Sequence, residues 1–244
     1  SGESTLSSRF TLAYGLRAGM FAVLGPGDFY TFNEKRELVS TQNYGQNEIV
    51  KSYFSLEPRL SAGYVLDASS SLKTAYSRNS QNMRLLSNST SGNPTDRWTP
   101  ATNNVKPGYS DMVSLGWFRN FYDNSWEFSA ETYYKWLHNE VDYRNDADLF
   151  GNPYYEADLV YGKGRAYGVE FYLKKRTGNL TGWVSYTLSK TERQFDAINN
   201  GSWFSARQDR THDLSVVAMY QLNPHGSLSS NFVYYTGDAA TFPS

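Results

Sequence analysis

The sequence has no cysteine, no long apolar run and almost no net charge, and each absence excludes a class of function. Without cysteine there are no disulfides, thiolate metal ligands or thiol nucleophiles. A net charge of −1, with mixed signs, gives no electrostatic reason to expect nucleic acid as a partner. A transmembrane helix needs about 20 successive apolar residues. Any contact with lipid would therefore be made by strands, which present only alternate side chains to it.

Aromatic residues are abundant instead. They form 16% of the 244 residues, with 20 Tyr and 6 Trp, whereas hydrophobic residues of all kinds reach only 39%. A soluble core normally relies on Leu, Ile and Val, which are few here. The aromatic residues collect near the ends of the predicted strands, in two groups typical of the interfacial girdles of a membrane barrel. The first group is Trp117, Phe118, Phe121, Tyr122 and Trp126, and the second is Tyr134, Trp136, Tyr234 and Tyr235.

Apolar and polar residues alternate along most of the chain, most clearly from Trp126 to Trp136. Successive side chains of a strand point to opposite faces, so one face of this segment is apolar and the other is charged. The alternation predicts an all-β protein of antiparallel strands with little helix. The nine predicted strands lie at about residues 8–23, 50–66, 71–82, 108–121, 125–138, 161–176, 180–193, 210–222 and 227–237.

The connectors between these strands alternate in length. The short ones, at 67–70, 122–125, 177–179 and 223–226, carry turn-forming residues. Long connectors rich in Asn, Ser, Gly and aromatic residues separate them. Short turns at one end and long loops at the other are typical of an outer-membrane β-barrel, whose short turns are periplasmic. The alternative is a soluble β-sandwich with Tyr-rich binding loops, although strands of this length are unusual there.

The predicted strand number indicates that the chain is part of a larger barrel. Nine is odd, whereas single-chain bacterial barrels have an even number of strands. An open sheet would also leave two unpaired edges in lipid. The alternation is nearly continuous, so no segment is predicted to be an internal plug.

Four segments resemble strands of one known family. They are FSLEPRLSA at 54–62, GKGRAYGVE at 162–170, GWVSYTLSKT at 182–191 and ARQDRTHDLS at 206–215. In this order they resemble barrel strands of TonB-dependent outer-membrane receptors, in the style of Bacteroidetes-type bacteria. The resemblance implies a 22-stranded barrel around an N-terminal plug that carries a TonB box. It implies that residues 1–244 are a partial barrel domain, roughly the eleventh to nineteenth strands, with plug, TonB box and last strands outside this sequence.

The resemblance also implies a function, namely import of a nutrient across the bacterial outer membrane with energy from TonB. The nutrient would be a glycan, siderophore, cobalamin or peptide. The implied partners are outer-membrane lipid, the TonB complex through the N-terminal part, and a surface lipoprotein. No enzyme activity and no cofactor are implied. Two alternatives stay open: a passive porin or structural component of a surface complex, and a soluble glycan-binding β-domain.

The alternation assigns side chains to two faces. We expect Phe128, Tyr134, Val169, Leu173, Leu188 and Leu214 to face lipid. Mixed charges on the other face predict a polar lumen that holds a plug, because an ion-selective path would need one sign to dominate. The predicted lumen-facing residues are Arg17, Glu57, Arg59, Glu127, Glu131, Lys135, Glu170 and Lys174.

Ligand contacts are predicted in the long connectors, where flat aromatic rings lie near Asn and Arg and could stack on a sugar, chelate or peptide. A place in the interfacial girdle, or packing between loops, is the other interpretation of these rings. We expect Trp98 and Trp203 to affect ligand capture, and Trp126 and Tyr122 to affect only barrel stability. The candidate contacts are Tyr30, Tyr44, Trp98, Tyr143, Tyr154, Tyr155, Trp203, Phe204 and Arg207.

No catalytic or metal site is predicted. Asp209, His212 and Asp213 lie close in sequence but lack a nucleophile motif, so we expect them to pair with neighbouring strands. Asp142 belongs to an acidic loop with Asn145, Asp146 and Asp148, whose spacing does not match an EF-hand.

Overall fold

The protein is an antiparallel β structure in a computed structural model that describes residues 1–86, 96–144, 147 and 151–237. Two short 3-10 helices, Tyr155–Asp158 and Asn199–Gly201, interrupt the loops. No helix of the described residues has the length and apolar character needed to cross a membrane. The strands are β1 (Gly2–Ser7), β2 (Phe10–Leu24), β3 (Gly27–Phe32), β4 (Leu38–Tyr44), β5 (Ile49–Asp67), β6 (Ser70–Gln81), β7 (Met83–Leu86), β8 (Arg97–Pro100), β9 (Gly108–Phe121), β10 (Trp126–Tyr143), β11 (Leu159–Lys175), β12 (Leu180–Phe195), β13 (Phe204–Ser205), β14 (His212–Asn223) and β15 (Gly226–Tyr235).

One large sheet contains most of these strands, in the order β1-β2-β5-β6-β9-β10-β11-β12-β14-β15, with β13 paired to β12. All of its neighbours are antiparallel. Two separate hairpins, β3–β4 and β7–β8, lie in the connectors. Within the described residues β1 and β15 are the edges, so the sheet does not close on itself. The predicted all-β antiparallel fold is confirmed.

All nine predicted strands are present, which confirms the prediction of about nine strands, and the described residues add one more to the sheet. The path through the sheet has ten strands, because β1 precedes the first predicted one. Its sequence, GESTLS, has a single large apolar residue, Leu6, so no alternation marks it. The argument from an odd strand number therefore fails. The two connector hairpins were also missed, because β4 is almost wholly exposed and β7 and β8 have only four residues each.

Short turns join strands at one end of the sheet, as predicted. At the turn after β9, the backbone N–H of Ser125 donates to the carbonyl of Tyr122 at 3.0 Å. Tyr122, Asp123 and Asn124 all have positive φ there, at 49°, 52° and 65°. The turn after β11 uses Gly178 at φ 93°, a conformation that glycine adopts without a Cβ clash. Every long connector begins and ends at the opposite end, which we call the loop end.

The strand register sorts side chains onto two faces, because residues directly opposite on neighbouring strands point the same way. Thr132, Val169 and Leu188 are successive partners across β10, β11 and β12. We call this side the apolar face. Glu131 and Glu170 are partners on the other side, the charged face. The predicted lipid-facing residues Phe128, Tyr134, Val169, Leu173, Leu188 and Leu214 all lie on the apolar face.

The apolar face is exposed. Leu16, Met20 and Phe54 are 67%, 71% and 69% accessible, and exposed large apolar residues continue across the sheet to Phe232 on β15. Soluble monomers rarely expose apolar patches above a few hundred Å². A surface of this kind is typical of a protein that contacts membrane lipid or a large partner.

The buried apolar cluster lies among the loop-end segments rather than between two layers of the sheet. It consists of Leu86, Val105, Val141 and Leu159, with Tyr143 and Tyr155 packed against it. These residues come from β7, β10, β11 and the segments joining them. Their burial holds the connectors together as one layer above the strand ends, and this layer positions the candidate site.

A loop-end site with three arginines

Hydrogen bonds connect the β3–β4 hairpin to the segment that follows β8. The side-chain amides of Asn103 and Asn104 donate to the carbonyl of Tyr30 at 2.8 and 2.9 Å. The Tyr161 hydroxyl donates to the carbonyl of Asn104 at 3.0 Å. The Tyr53 hydroxyl also donates to a backbone carbonyl of this connector, at 2.5 Å. Because strand residues hold loop backbone here, the connectors have a defined position over the sheet.

An aromatic cluster projects from this layer and combines two of the predicted ligand contacts. The ring of Tyr30 lies 4.9 Å from that of Tyr154, edge to face, and 6.5 Å from that of Phe32. Phe32 lies 6.3 Å from Tyr154, so the three rings are mutual neighbours. Tyr154 is 42% exposed. A partly exposed aromatic cluster of this kind suits contact with a sugar or an aromatic ligand.

The remaining predicted tyrosine contacts are engaged with the protein. Tyr44 packs edge-on against Phe29 at 5.5 Å. Tyr155 lies beneath the Arg97 guanidinium at 4.2 Å, and burial raises the pKa of its phenol. Tyr143 packs against the buried cluster, and Trp98 differs from all of these in being 65% exposed. Ligand contact by these residues stays a prediction, and Trp98 is the most accessible of them.

Trp203 and Phe204 lie on opposite sides of the sheet. The Arg165 guanidinium lies over the Trp203 ring at 4.2 Å. Arg165 pairs with Trp136 on the apolar face, so Trp203 lies at the loop-end margin of that face. Phe204 pairs with Arg193 on the charged face and packs 6.1 Å from the buried Phe195 ring. Of the two, Phe204 therefore has the better position for a ligand on the charged face.

Three arginines meet at the loop end of the charged face, and we call them the arginine cluster: Arg84, Arg193 and Arg207. Arg193 lies 3.4 Å from the Glu140 carboxylate and 3.8 Å from Asp142, and Arg207 lies 3.5 Å from Asp142. The Arg84 guanidinium rests on the sheet at Gly108, where any Cβ would overlap its nitrogens.

Sequence reasoning found Arg207 but missed Arg84 and Arg193. The alternation could have placed Arg193 on the charged face. Arg84 belongs to the β7–β8 hairpin, and its approach to Glu140, close enough for the two charges to interact, joins distant parts of the chain. No local pattern predicts that approach.

The predicted lumen-facing residues all share the charged face. Glu57 is buried at 6% exposure, where it accepts hydrogen bonds from the backbone N–H and the hydroxyl of Ser80 and lies 3.8 Å from Arg17. Arg59 donates to the Asn79 side chain at 3.2 Å. These contacts are local and link neighbouring strands. Near the short turns, Glu127 forms an ion pair with Arg176 and lies directly opposite Lys174. Closer to the loop end, Lys135 lies opposite Ala166.

An acidic row crosses the charged face at mid-height. Glu131 lies opposite Glu170, Glu170 opposite Thr187, and Thr187 opposite Asp213. Within the part of the chain that the structure describes, no Lys or Arg nitrogen lies within 4.0 Å of these three carboxylates. Directly opposed like charges are unfavourable. Lys73 lies at the same height with Gly116 between it and Glu131, so the row holds one cation and three carboxylates, none of them in an ion pair among the described residues.

A family model described as TonB dependent receptor-like, beta-barrel matches residues 2–244. The chain belongs to the TonB-dependent receptor family. That family consists of receptors and transporters rather than enzymes. A search of curated proteins found no match.

Solved structures of TonB-dependent receptors have the same fold. The chain is similar to the ferric-catecholate import receptor Fiu from E. coli K12, with 20% identity and a TM-score of 0.58 over 93% of this chain and 32% of that one. It is also similar to the alcaligin outer-membrane receptor FauA from Bordetella pertussis, with 12% identity and a TM-score of 0.61 over 96% and 36%. This chain thus spans about a third of the length of these receptors. The Bacteroidetes-type style stays a prediction.

In this receptor chain two of the residues considered for catalysis, Asp209 and His212, have structural partners, whereas Asp213 belongs to the acidic row. The Asp209 carboxylate accepts a hydrogen bond from the Thr191 N–H at 2.6 Å and lies 3.4 Å from the Lys190 ammonium. His212 lies 2.8 Å from the Tyr186 hydroxyl. Asp142 is held by arginines, whereas Asn145, Asp146 and Asp148 lie outside the described residues. Across the described residues no group of three or more His, Asp or Glu side chains is placed to hold a metal.

Proposed function

We propose that this chain forms part of the wall of an outer-membrane receptor that captures a ligand at the loop end and imports it with energy from TonB. The single observation that carries the proposal is the division of one antiparallel sheet into an exposed apolar face and a charged face. Membership of the TonB-dependent receptor family supplies the transport mechanism.

The orientation of the wall follows from hydration. The apolar face would contact the hydrocarbon of the bilayer, because Met20 and Phe54 lose unfavourable contact with water there. Facing lipid with Glu131 or Glu170 would instead place carboxylates in a medium that cannot hydrate them. In this orientation the eight predicted lumen residues point into the barrel. The short turns then lie on the periplasmic side and the aromatic cluster outside.

The acidic row supports a filled rather than an open lumen. Glu131, Glu170 and Asp213 form no ion pair among the described residues, and Lys73, which lies in the same row beyond Gly116, is one cation against three carboxylates, so further cations are needed. A plug with basic side chains at this height would supply them, and the receptor family carries such a domain inside its barrel. In an open porin water would hydrate the same carboxylates, so the family membership of the chain is what favours a filled lumen.

The loop layer supports capture of a ligand of moderate size. The aromatic cluster of Tyr30, Phe32 and Tyr154 and the exposed Trp98 provide flat surfaces, and the arginine cluster provides charge below them. Fiu is named for ferric catecholate and FauA for alcaligin, so an iron chelate is the substrate that we propose. A glycan, cobalamin or peptide would use the same rings with different polar contacts.

The proposal is tested in cells that express the full-length receptor, with and without TonB. We expect accumulation of radioactive iron from a ferric chelate only when both are present. The purified receptor should migrate faster on a gel before heating than after it, as detergent-resistant barrels do. Uptake that persists without TonB would indicate a porin, and a receptor that is water-soluble without detergent would contradict the membrane orientation.

A further inference from the structure

A pocket lies at the loop end of the sheet, in a gap between β5 and β6. The ladder between these two strands ends at the pair Arg59 and Ser77, although both strands continue toward the loop end. Beyond this pair, the backbone N–H of Ser80 donates to the Glu57 carboxylate at 3.3 Å, whereas in a regular ladder it would donate to a backbone carbonyl. The separated strands leave a cavity of about 300 Å³, which we call the β5–β6 cavity.

The β5–β6 cavity lies at the loop-end margin of the apolar face. Arg78 lines it and shares a row of that face with Asp111 and Trp136. The next such row toward the short turns contains Tyr76 and Tyr134. Tyrosine is enriched where the hydrocarbon of a bilayer meets its headgroups. In the membrane orientation proposed above, the cavity therefore lies at the height of the outer-leaflet headgroups.

Both charged residues that line the cavity are cations, Arg78 and Lys106. Arg78 donates from Nε and Nη2 to the two carboxylate oxygens of Asp111, at 2.8 and 2.9 Å, so one ion pair neutralises its charge while Nη1 keeps its donors. Lys106 is exposed, and its ammonium forms no hydrogen bond or ion pair with any residue that the structure describes. The cavity therefore carries an excess positive charge and free donors, which favour an anion such as phosphate.

The other wall of the cavity is apolar and continues along β5. Phe54 and Leu56 line the cavity, and Leu60 follows on the same face toward the short turns. These side chains are 69%, 48% and 48% exposed. Acyl chains could cover them, whereas a soluble phosphate would use the cations and leave them uncovered. Charge at the headgroup height and an apolar track below it together match an anionic lipid.

We propose that the β5–β6 cavity binds a phosphorylated lipid of the outer leaflet, with its phosphate at Lys106 and Arg78 and its acyl chains along Phe54 and Leu56. This inference goes beyond transport and uses only the membrane orientation of the proposed function. Inorganic phosphate shares the chemistry of the headgroup, and the experiment distinguishes it from the lipid.

The test uses the purified full-length receptor in detergent and three probes: lipid A with its phosphates, the same lipid after enzymatic removal of the phosphates, and inorganic phosphate. Native mass spectrometry measures the affinity for each lipid. We expect the phosphorylated lipid to bind about tenfold more tightly than the dephosphorylated one, because only its phosphate makes charge-assisted hydrogen bonds. Lys106→Gln should remove most of this preference. Inorganic phosphate at millimolar concentration should not displace the lipid.

Lys163→Gln is the matched control. Lys163 is also an exposed cation at the loop-end margin of the apolar face, but it does not line the cavity, so its loss should not change the affinity. Thermal unfolding of both variants checks that they fold, as we expect for exposed side chains. The preference of the wild type for phosphorylated lipid, lost in Lys106→Gln and kept in Lys163→Gln, is the result that supports the inference.

Each other result overturns it. Equal affinity of the wild type for the two lipids, or unchanged affinity in a folded Lys106→Gln variant, would show that the cavity does not bind the phosphate. Equal losses in Lys106→Gln and Lys163→Gln would assign binding to diffuse charge at the membrane surface. Displacement by inorganic phosphate would make a soluble anion the ligand. None of these measurements involves TonB, whereas the proposed function fails if uptake proceeds without TonB, so the two failures are distinguishable.

Discussion

Glu131 of β10 and Glu170 of β11 are direct cross-strand partners, two carboxylates side by side on the charged face. Water can hydrate such a pair on an open sheet, but the interior of a filled barrel cannot do so at the same free energy. The pair therefore places a constraint on whatever fills the lumen. Lys73 lies in the same row beyond Gly116, and we expect a cation from another part of the receptor to approach the pair as well.

The first prediction tests this constraint in the full-length receptor. Glu170→Gln should destabilise it by about 1–3 kcal/mol, because the cation facing the pair would lose one of its two partners and keep Glu131. The measurement is urea-induced unfolding in detergent or lipid vesicles. Glu127→Gln is the control, since Glu127 pairs with Arg176 near the short turns and is partly exposed, so its loss should cost about 1 kcal/mol or less. An increase in stability on Glu170→Gln would mean that repulsion between the carboxylates is uncompensated.

The second prediction tests the two faces with neighbouring residues of β12. Leu188 lies on the apolar face and Thr187 on the charged face, at the same height. Leu188→Arg should destabilise the barrel by about 2–4 kcal/mol, as arginine does at the bilayer midplane. Thr187→Arg should be tolerated or stabilising, because Thr187 lies between Glu170 and Asp213. Refolding into lipid vesicles followed by a urea titration measures both. If Thr187→Arg were the less stable of the two variants, the charged face would be the one that contacts lipid, and the assignment of the faces would be wrong.

The strands and their faces could be predicted from the sequence because a strand leaves a period of two in its own residues. Phe128 and Glu131 are assigned to opposite faces by counting alone, and the register confirms it. β1 could not be predicted, since its partner β2 provides the pairing while its own residues carry no pattern. The residues of a strand can predict its alternation, but the strand conformation of β1 depends on its hydrogen bonds to β2.

The candidate site was less predictable, because it depends on contacts between distant segments. Tyr30 and Tyr154 belong to distant segments, and Asn104 connects these by donating to the carbonyl of Tyr30 and to the carboxylate of Glu156. Trp203 was predicted to contact ligand from its position in a long connector, yet its ring is stacked on Arg165 at the margin of the apolar face. Composition identified the loop aromatics, but loop packing decides which of them are accessible.

The third prediction concerns the backbone of β12. Gly182 has φ 152°, and a Cβ there would overlap the carbonyl oxygen of Val217 on β14. Gly182→Ala should therefore cost about 1–3 kcal/mol of stability through strain between these strands. Gly63→Ala on β5 is the matched control, because a Cβ at Gly63 meets nothing within 4 Å, and the change should be below about 1 kcal/mol. Thermal unfolding compares them. Equal melting temperatures for the two variants would show that β12 and β14 accommodate the Cβ of Gly182→Ala without a loss of stability.

The fourth prediction separates ligand capture from barrel stability with two tryptophans at opposite ends of the sheet. Trp98 is 65% exposed in the loop layer, whereas Trp126 begins β10 beside a short turn, with the Lys175 ammonium 5.8 Å from its ring. Trp98→Ala should weaken ligand binding by about fivefold to thirtyfold, the loss expected for one stacking ring, and leave heat resistance unchanged. Trp126→Ala should lower the temperature at which the barrel unfolds in detergent, because an aromatic anchor at the membrane interface is lost, and should leave affinity unchanged.

Both variants are made in the full-length receptor, and affinity and heat-modifiable migration are measured on the same preparations. Tyr122→Ala serves as a second control, because Tyr122 is 81% exposed at a short turn far from the loop layer and should not alter binding. If Trp126→Ala lost ligand binding while its barrel stayed intact, the ligand would be captured at the short-turn end of the sheet, which would contradict the prediction. Normal binding in Trp98→Ala would restrict capture to the aromatic cluster of Tyr30, Phe32 and Tyr154 and to the arginines below it. The two measurements together therefore decide which end of the wall meets the ligand, independently of which ligand it is.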